Sequence, residues 1–272
     1  MRTPAAVLLL GLTTGCTSMV LAEPKLLVSP YYALYQVRGK VGMQSRATPT
    51  SAPEDNTPQD LRTFGQDHHK DDVGVRVDLG DGFAGLRLDY LKLDLHTSKR
   101  GILDDDWGLL LQDDVVRMDV EADDLRLTWI EPITKFSTSL REQPLTFQVG
   151  AGGTMAHRDY ALRGKTDDGL RTQNAELRGD LVFAAARARA TWRDFAFDVD
   201  YAICPQLTLG GDWEDVQQDL ELRASYTVPL RDLTFFAGYR YSRMSATGHE
   251  HELRYDADLL IDGYQLGVVL TF

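Results

Sequence analysis

Asp262-Gly263-Tyr264-Gln265-Leu266-Gly267-Val268-Val269-Leu270-Thr271-Phe272 is the stretch that decides the fold. Tyr264, Leu266, Val268, Leu270 and Phe272 fall on one face and Gly263, Gln265, Gly267 and Thr271 on the other. That is the period of a strand lying between apolar and polar surroundings. The strand runs to the last residue and closes on an aromatic side chain of the apolar face.

The chain has 272 residues, with no shift of composition that marks a second core, so one domain is expected. Apolar residues make up 43% of it, and no run of 18 or more occurs beyond the N-terminus, which excludes a mature helical span. Strands that are apolar only at every second position would escape that test. Residues 1–22 read as an export signal, with Arg2 as a short basic start and an apolar Ala5 to Leu12. Val20-Leu21-Ala22 suits ordinary signal cleavage, while Leu12-Thr13-Thr14-Gly15-Cys16 offers a competing lipobox that would lipidate Cys16. With Cys16 removed, Cys204 is the only thiol, and no disulfide is expected. A net charge of -12 argues against nucleic acid as a partner, because phosphates need a basic surface.

Residues 25–42 give a first strand, with Tyr31, Ala33, Tyr35 and Val37 facing one way and Gln36, Arg38 and Lys40 the other. A polar loop, 43–70, precedes a hairpin over 72–97 that turns at Gly80-Asp81-Gly82. The apolar parity there changes at Tyr90-Leu91, which a bulge, or the exit of the strand from a membrane, would explain. A fourth strand spans 115–130 with a similar change near Asp123, and a turn over 132–144 returns the chain into Leu145, Phe147 and Val149. After a loop at 164–174, alternating runs follow at 182–192, 195–203, 220–228 and 235–241, with tight turns at Arg193-Asp194 and Arg231-Asp232. A loop over 245–260 leads to the final strand. Connections therefore alternate between long and short.

The terminal alternation ending on Phe272 resembles the C-terminal signal of bacterial outer-membrane β-barrel proteins. The whole of 23–272 is similar to the small, omptin-sized or OmpA-like barrels of that class, with no subfamily matched. The alternating runs count to about ten strands, with eight to twelve left open, and the resemblance implies an all-β fold, an antiparallel transmembrane β-barrel. It also implies the outer membrane of a Gram-negative bacterium, contact with its lipids and lipopolysaccharide, and recognition of the last strand by the barrel-assembly machinery. No peptidoglycan-binding domain is evident, and no cofactor is expected.

Phe83, Trp129, Phe147, Trp192, Phe195, Tyr226, Phe235 and Phe272 gather at the short-turn ends, as one rim of an interfacial girdle should. Tyr90, Tyr201, Tyr241 and Tyr264 would supply the opposite rim. The polar faces carry Arg76, Asp78, Arg87, Asp89, Arg126, Arg187, Arg189, Asp198, Asp200, Glu221, Arg223 and Arg240. An Arg at the bilayer midplane would cost roughly 2–4 kcal/mol, so these charges are expected to fill the lumen by pairing. A plugged interior, or a narrow pore, follows.

Four chemical candidates remain. His249 and His251, with His68 or His69, could bind a metal, and Asp104 to Asp106 with Asp256, Asp258 and Asp262 could hold calcium. His96-Thr97-Ser98 is similar to the His-x-Ser pair of outer-membrane lipid A deacylases, and the parity after Leu91 aims His96 and Ser98 inward. Asp94, His96, His157 and Asp159 sit at the rim where omptin proteases keep Asp and His. The expected role is a non-enzymatic barrel with acidic outer loops or a narrow channel; the rivals are a rim hydrolase and a soluble secreted binding barrel.

Overall fold

The computed structural model describes residues 25–46, 48, 50–66, 69–205, 208–211, 213–229, 231–250 and 252–272. The export segment 1–22, with Cys16, lies outside them. Among the described residues, ten long strands build the wall: β1 (Lys25–Met43), β2 (Lys70–Gly80), β3 (Gly85–Leu95), β4 (Val115–Leu140), β5 (Gln143–Thr166), β6 (Thr172–Trp192), β7 (Phe195–Pro205), β8 (Trp213–Thr227), β9 (Leu233–Glu250) and β10 (Leu253–Thr271). Each pairs antiparallel with the next, and β10 pairs with β1, which closes the sheet into a barrel. Closure is completed by the last residue, whose N–H donates to the Leu26 carbonyl at 2.9 Å. A short segment, Thr208–Gly211, continues β7 alongside β6.

The strands are tilted. Following cross-strand partners once round the wall from Phe272 passes Leu26, Leu79, Leu86, Trp129, Gly153, Ala184, Ile203, Gln218 and Arg243. The path returns to β10 at Leu260, well up the strand from its start. A closed sheet needs that stagger, because it sets the strand tilt and the bore.

One strand shows how the wall is organised. On β3 the side chains alternate without interruption, every second residue being buried. Leu86, Leu88 and Tyr90 face outward while Arg87 and Asp89 face the lumen; beyond them Lys92, Asp94 and His96 face outward while Leu91, Leu93 and Leu95 are buried inside. The change of parity at Tyr90-Leu91 is therefore an exchange of polarity between the two faces, and the pleat is unbroken. β4 does the same: Leu125 and Leu127 are outside against Asp124 and Arg126, then Asp123 and Glu121 are outside against Ala122 and Val120.

The barrel thus has two halves. Near the short turns the outer surface is apolar and the interior charged, as in a wall immersed in hydrocarbon. Towards the loops the exterior is polar and the interior is an apolar core of Leu91, Leu93, Met118, Leu162, Leu177 and Leu259, among others. A spanning strand needs about 9–11 residues, whereas β4 has 26 and β5 has 24. The surplus extends the strands beyond the apolar band.

Several boundaries differ from the sequence expectation for the same reason. The turn expected over 132–144 is only Arg141-Glu142, both at positive φ, and much of the loops expected at 164–174 and 245–260 is strand. Polar residues on the outer face of a water-exposed strand look like loop in a sequence. Phe83 departs from the expected rim as well, being 1% exposed and turned into the lumen. The turn between β2 and β3 folds inward, with Gly82 at φ 83° and Gly85 at φ 113°, conformations that disfavour a Cβ. The Asp81 carboxylate holds it by accepting the Phe83 and Ala84 N–H groups at 2.8 and 2.7 Å.

Candidate functional site

All twelve lumen charges expected from the sequence lie on the inner face of the turn-side half, where ion pairs gather them into three neighbouring groups. Arg76 is fully buried, holding Glu221 with both terminal nitrogens at 2.8 and 2.7 Å and Asp89 at 2.9 Å. Arg87 reaches Asp78 at 2.6 Å and Asp200 at 3.1 Å, and Arg187 also binds Asp200. Asp198 takes Arg189 at 2.6 Å and Arg223 at 3.3 Å. Arg240 lies 3.3 Å from Asp124 and 3.5 Å from Asp89.

Three members escaped the sequence reading. Asp124 pairs with Arg126, Asp219 receives Arg126 at 2.8 Å and Arg158 at 2.7 Å, and the Arg158 side chain is fully buried. Their signal was present as inward parity beside Arg126, Glu221 and Thr154, but they sit at the layer where polarity exchanges. Each carboxylate of the network is held by at least one guanidinium. Such pairs satisfy one another's hydrogen bonds, and removing one partner leaves an uncompensated buried charge. A cavity of about 60 Å³ lies among Arg76, Arg87, Arg126, Asp89, Glu221 and Arg240.

Both ends of the network are occupied by side chains. At the turn end the inward-folded turn sits beneath it: Arg187 donates to the Phe83 carbonyl at 2.6 Å, Arg189 donates to that of Gly82 at 2.9 Å, and the Arg189 guanidinium lies 5.6 Å from the Phe83 ring centre. At the loop end Leu61, Phe64, Leu103, Trp107 and Leu110 are buried over the apolar core, with Phe64 and Trp107 in edge contact at 5.3 Å. Gly164 makes room for that cap, since a Cβ there would lie 2.9 Å from the Trp107 ring.

The acidic loop residues serve as backbone acceptors. The N–H groups of Thr57 and Asp106 hold the Asp105 carboxyl below the usual carboxylate range, and Asp106 accepts the Gln112 N–H at 2.8 Å. Asp258 pairs with Arg243 at 3.2 Å and Asp262 with Arg38 at 2.6 Å, both on the outer wall. Asp105, Asp106, Asp258 and Asp262 are thus each taken up by local partners.

His96 and Ser98 are exposed on the loop-end half, the reverse of the inward aim expected for them, because the strand keeps its pleat through Leu91. Both imidazole nitrogens of His96 face carboxylates: Nε2 lies 2.9 Å from Asp94 and Nδ1 3.3 Å from Asp119. Glu121 joins them, and ligand atoms of Asp94, His96 and Glu121 all lie within 4.8 Å of one another, the one such group among the described residues. Register brought Glu121 there, opposite Asp94 across the β3–β4 pair. The other rim candidates separate: His157 pairs with Asp180 at 2.8 Å, and Asp159 with Arg178 at 2.6 Å. His249 is exposed near the end of β9, and His251 and His68 lie outside the described residues.

Tyr264, Leu266, Val268, Leu270 and Phe272 all face outward on β10, with Phe272 the most exposed of them. Tyr90, Tyr201, Tyr241 and Tyr264 face outward near the line where polarity exchanges, and Tyr90 donates to Asp123 at 2.8 Å.

No family model matches the chain, and no curated protein matches it. Among solved structures, the chain is similar to the outer-membrane protease OmpT of Escherichia coli at 8% identity, covering 90% of this chain and 97% of that one with a TM-score of 0.49. It is also similar to Ail, the attachment invasion locus protein of Yersinia pestis (8% identity, 89% and 99% covered, TM-score 0.30). A Pseudomonas aeruginosa FadL homologue aligns at 9% identity over 92% and 90%, with a TM-score of 0.32.

Proposed function

We propose that this chain is an outer-membrane β-barrel of a Gram-negative bacterium whose interior is closed to solutes. Its role is structural and surface-directed: it holds a rigid, water-exposed upper barrel above the lipid. One observation carries this reading, the exchange of polarity between the two faces of unbroken strands at Tyr90-Leu91 and Asp123-Leu125. An aqueous pathway needs a polar bore along its whole length. Here the charged layer is followed by a buried apolar core and a cap built around Trp107.

The same exchange sets the expected partners. The apolar outer band from Leu26 and Leu34 to Leu266 and Leu270 suits acyl chains, and the Arg38–Asp262 and Arg243–Asp258 pairs above it suit the headgroups of lipopolysaccharide. The outward row ending on Phe272 suits recognition by the barrel-assembly machinery while β10 is still unpaired.

The test has two stages on protein refolded in detergent. A heat-sensitive band on a gel establishes the folded barrel, and planar-bilayer recording then reads the lumen. A heat-sensitive band with no steady current is expected. Stable current steps from the same material would overturn the closed interior.

A further inference from the structure

We propose that Asp94, His96 and Glu121 form a binding site for a divalent transition-metal ion of the zinc type on the outer wall of the upper barrel. The site is assembled by sheet geometry. Asp94 and Glu121 are direct cross-strand partners, and His96, just past the end of β3, takes the next outward position, so three ligand atoms converge on one patch.

The hydrogen bonds around His96 give the second and independent observation. Asp119 is a fixed acceptor: its side chain is 7% exposed, one oxygen takes the Lys165 ammonium at 2.6 Å, and the other lies 3.3 Å from His96 Nδ1. On the other side of the ring Nε2 lies 2.9 Å from Asp94 Oδ1, so the imidazole stands between two carboxylates. Asp94 Oδ1 is also enclosed and meets no hydrogen-bond donor. The imidazole and the Asp94 carboxylate thus converge on one point, with Glu121 supplying a further oxygen.

The ligand set selects among cations. Magnesium and calcium favour oxygen-only shells, whereas one imidazole nitrogen with two carboxylate oxygens suits zinc and its neighbours. Asp119 behind His96 completes the carboxylate–histidine–metal arrangement that orients such rings, so it acts as a positioning residue. Three protein ligands leave a coordination position open on the solvent side. The patch lies on the loop side of the Tyr90–Asp123 contact, where ions in water reach it.

The proposal is tested by calorimetric titration of zinc into refolded, chelator-stripped protein, with cobalt(II) absorption as a spectroscopic probe. One equivalent of zinc binds, and magnesium in excess leaves that binding in place. His96→Ala and Glu121→Gln each lower the affinity by at least about tenfold. Asp119→Asn lowers it less and shifts the cobalt band, because the ring donates less electron density. All of these positions lie on the outer wall, so the heat-sensitive band is retained. His157→Ala, at the separate His157–Asp180 pair, leaves binding unchanged. Absence of zinc binding, or binding untouched by His96→Ala and Glu121→Gln, overturns the proposal.

Discussion

Replacing Leu93 by Ala examines the upper half of the barrel directly. Leu93 is on the inner face, 1% exposed, and belongs to the apolar core. The change removes three carbons from an apolar interior. At roughly 0.8 kcal/mol per buried methylene the transfer contribution is about 2.4 kcal/mol, and the residual cavity brings the loss to about 3–4 kcal/mol. Lys92, its neighbour on the same strand, faces water, so Lys92→Ala should stay within about 0.5 kcal/mol of the parent. The assay is reversible urea unfolding of protein in lipid vesicles, followed by tryptophan fluorescence. A loss below about 1 kcal/mol for Leu93→Ala would mean that water already occupies that interior, since no cavity would then form. A Lys92→Ala loss as large as that of Leu93→Ala would mean that the pleat had shifted.

Other expectations follow from single contacts. Asp198→Ala strands Arg189 and Arg223 in the lumen and should cost about 3–5 kcal/mol in the same unfolding assay; a loss below about 1 kcal/mol would show that water screens the network. Gly164→Val should displace Trp107 and Leu110, lowering stability by about 1–3 kcal/mol and shifting Trp107 emission to the red, whereas unchanged emission would place the ring elsewhere. The Asp105 carboxyl is held down by the Thr57 and Asp106 N–H groups, so its stabilisation of the loop is present above the ordinary carboxylate pKa of about 3.9 and lost as pH falls through its lower folded value. A carboxyl titration by NMR should place its midpoint below that of a model aspartate, and a midpoint at or above it would remove the clasp.

The closed ring was legible because β10 and its companions alternate strictly, and alternation survives whatever surrounds the strand. Strand ends were not legible. Outward residues such as Asp256, Asp258, Arg178 and Asp180 are polar because the upper wall stands in water, and a polar run in a sequence has the composition of a loop. The lumen charges from Arg76 to Arg240 could be assigned by the cost of placing them in lipid. Asp124, Arg158 and Asp219 sit at the layer where the polarity of the two faces exchanges, so the pattern around them no longer marked the inner face. Phe83 was misplaced because an inward fold at Gly80–Gly85 is a backbone event that an aromatic rim does not signal. The patch around His96 needed the β3–β4 register, since Asp94 is near in sequence but Glu121 and Asp119 arrive across strands.

The central claim is that the wall leaves the lipid in the middle of its strands. Spin labels placed one at a time at the outward β4 positions 121, 123, 125, 127 and 129, in vesicles, report it through collisions with oxygen and with a water-soluble nickel chelate. Labels at 125, 127 and 129 are predicted to favour oxygen, and those at 123 and 121 the chelate, with the crossover between 123 and 125. Oxygen preference continuing through 121, or chelate preference at all five positions, would contradict the account.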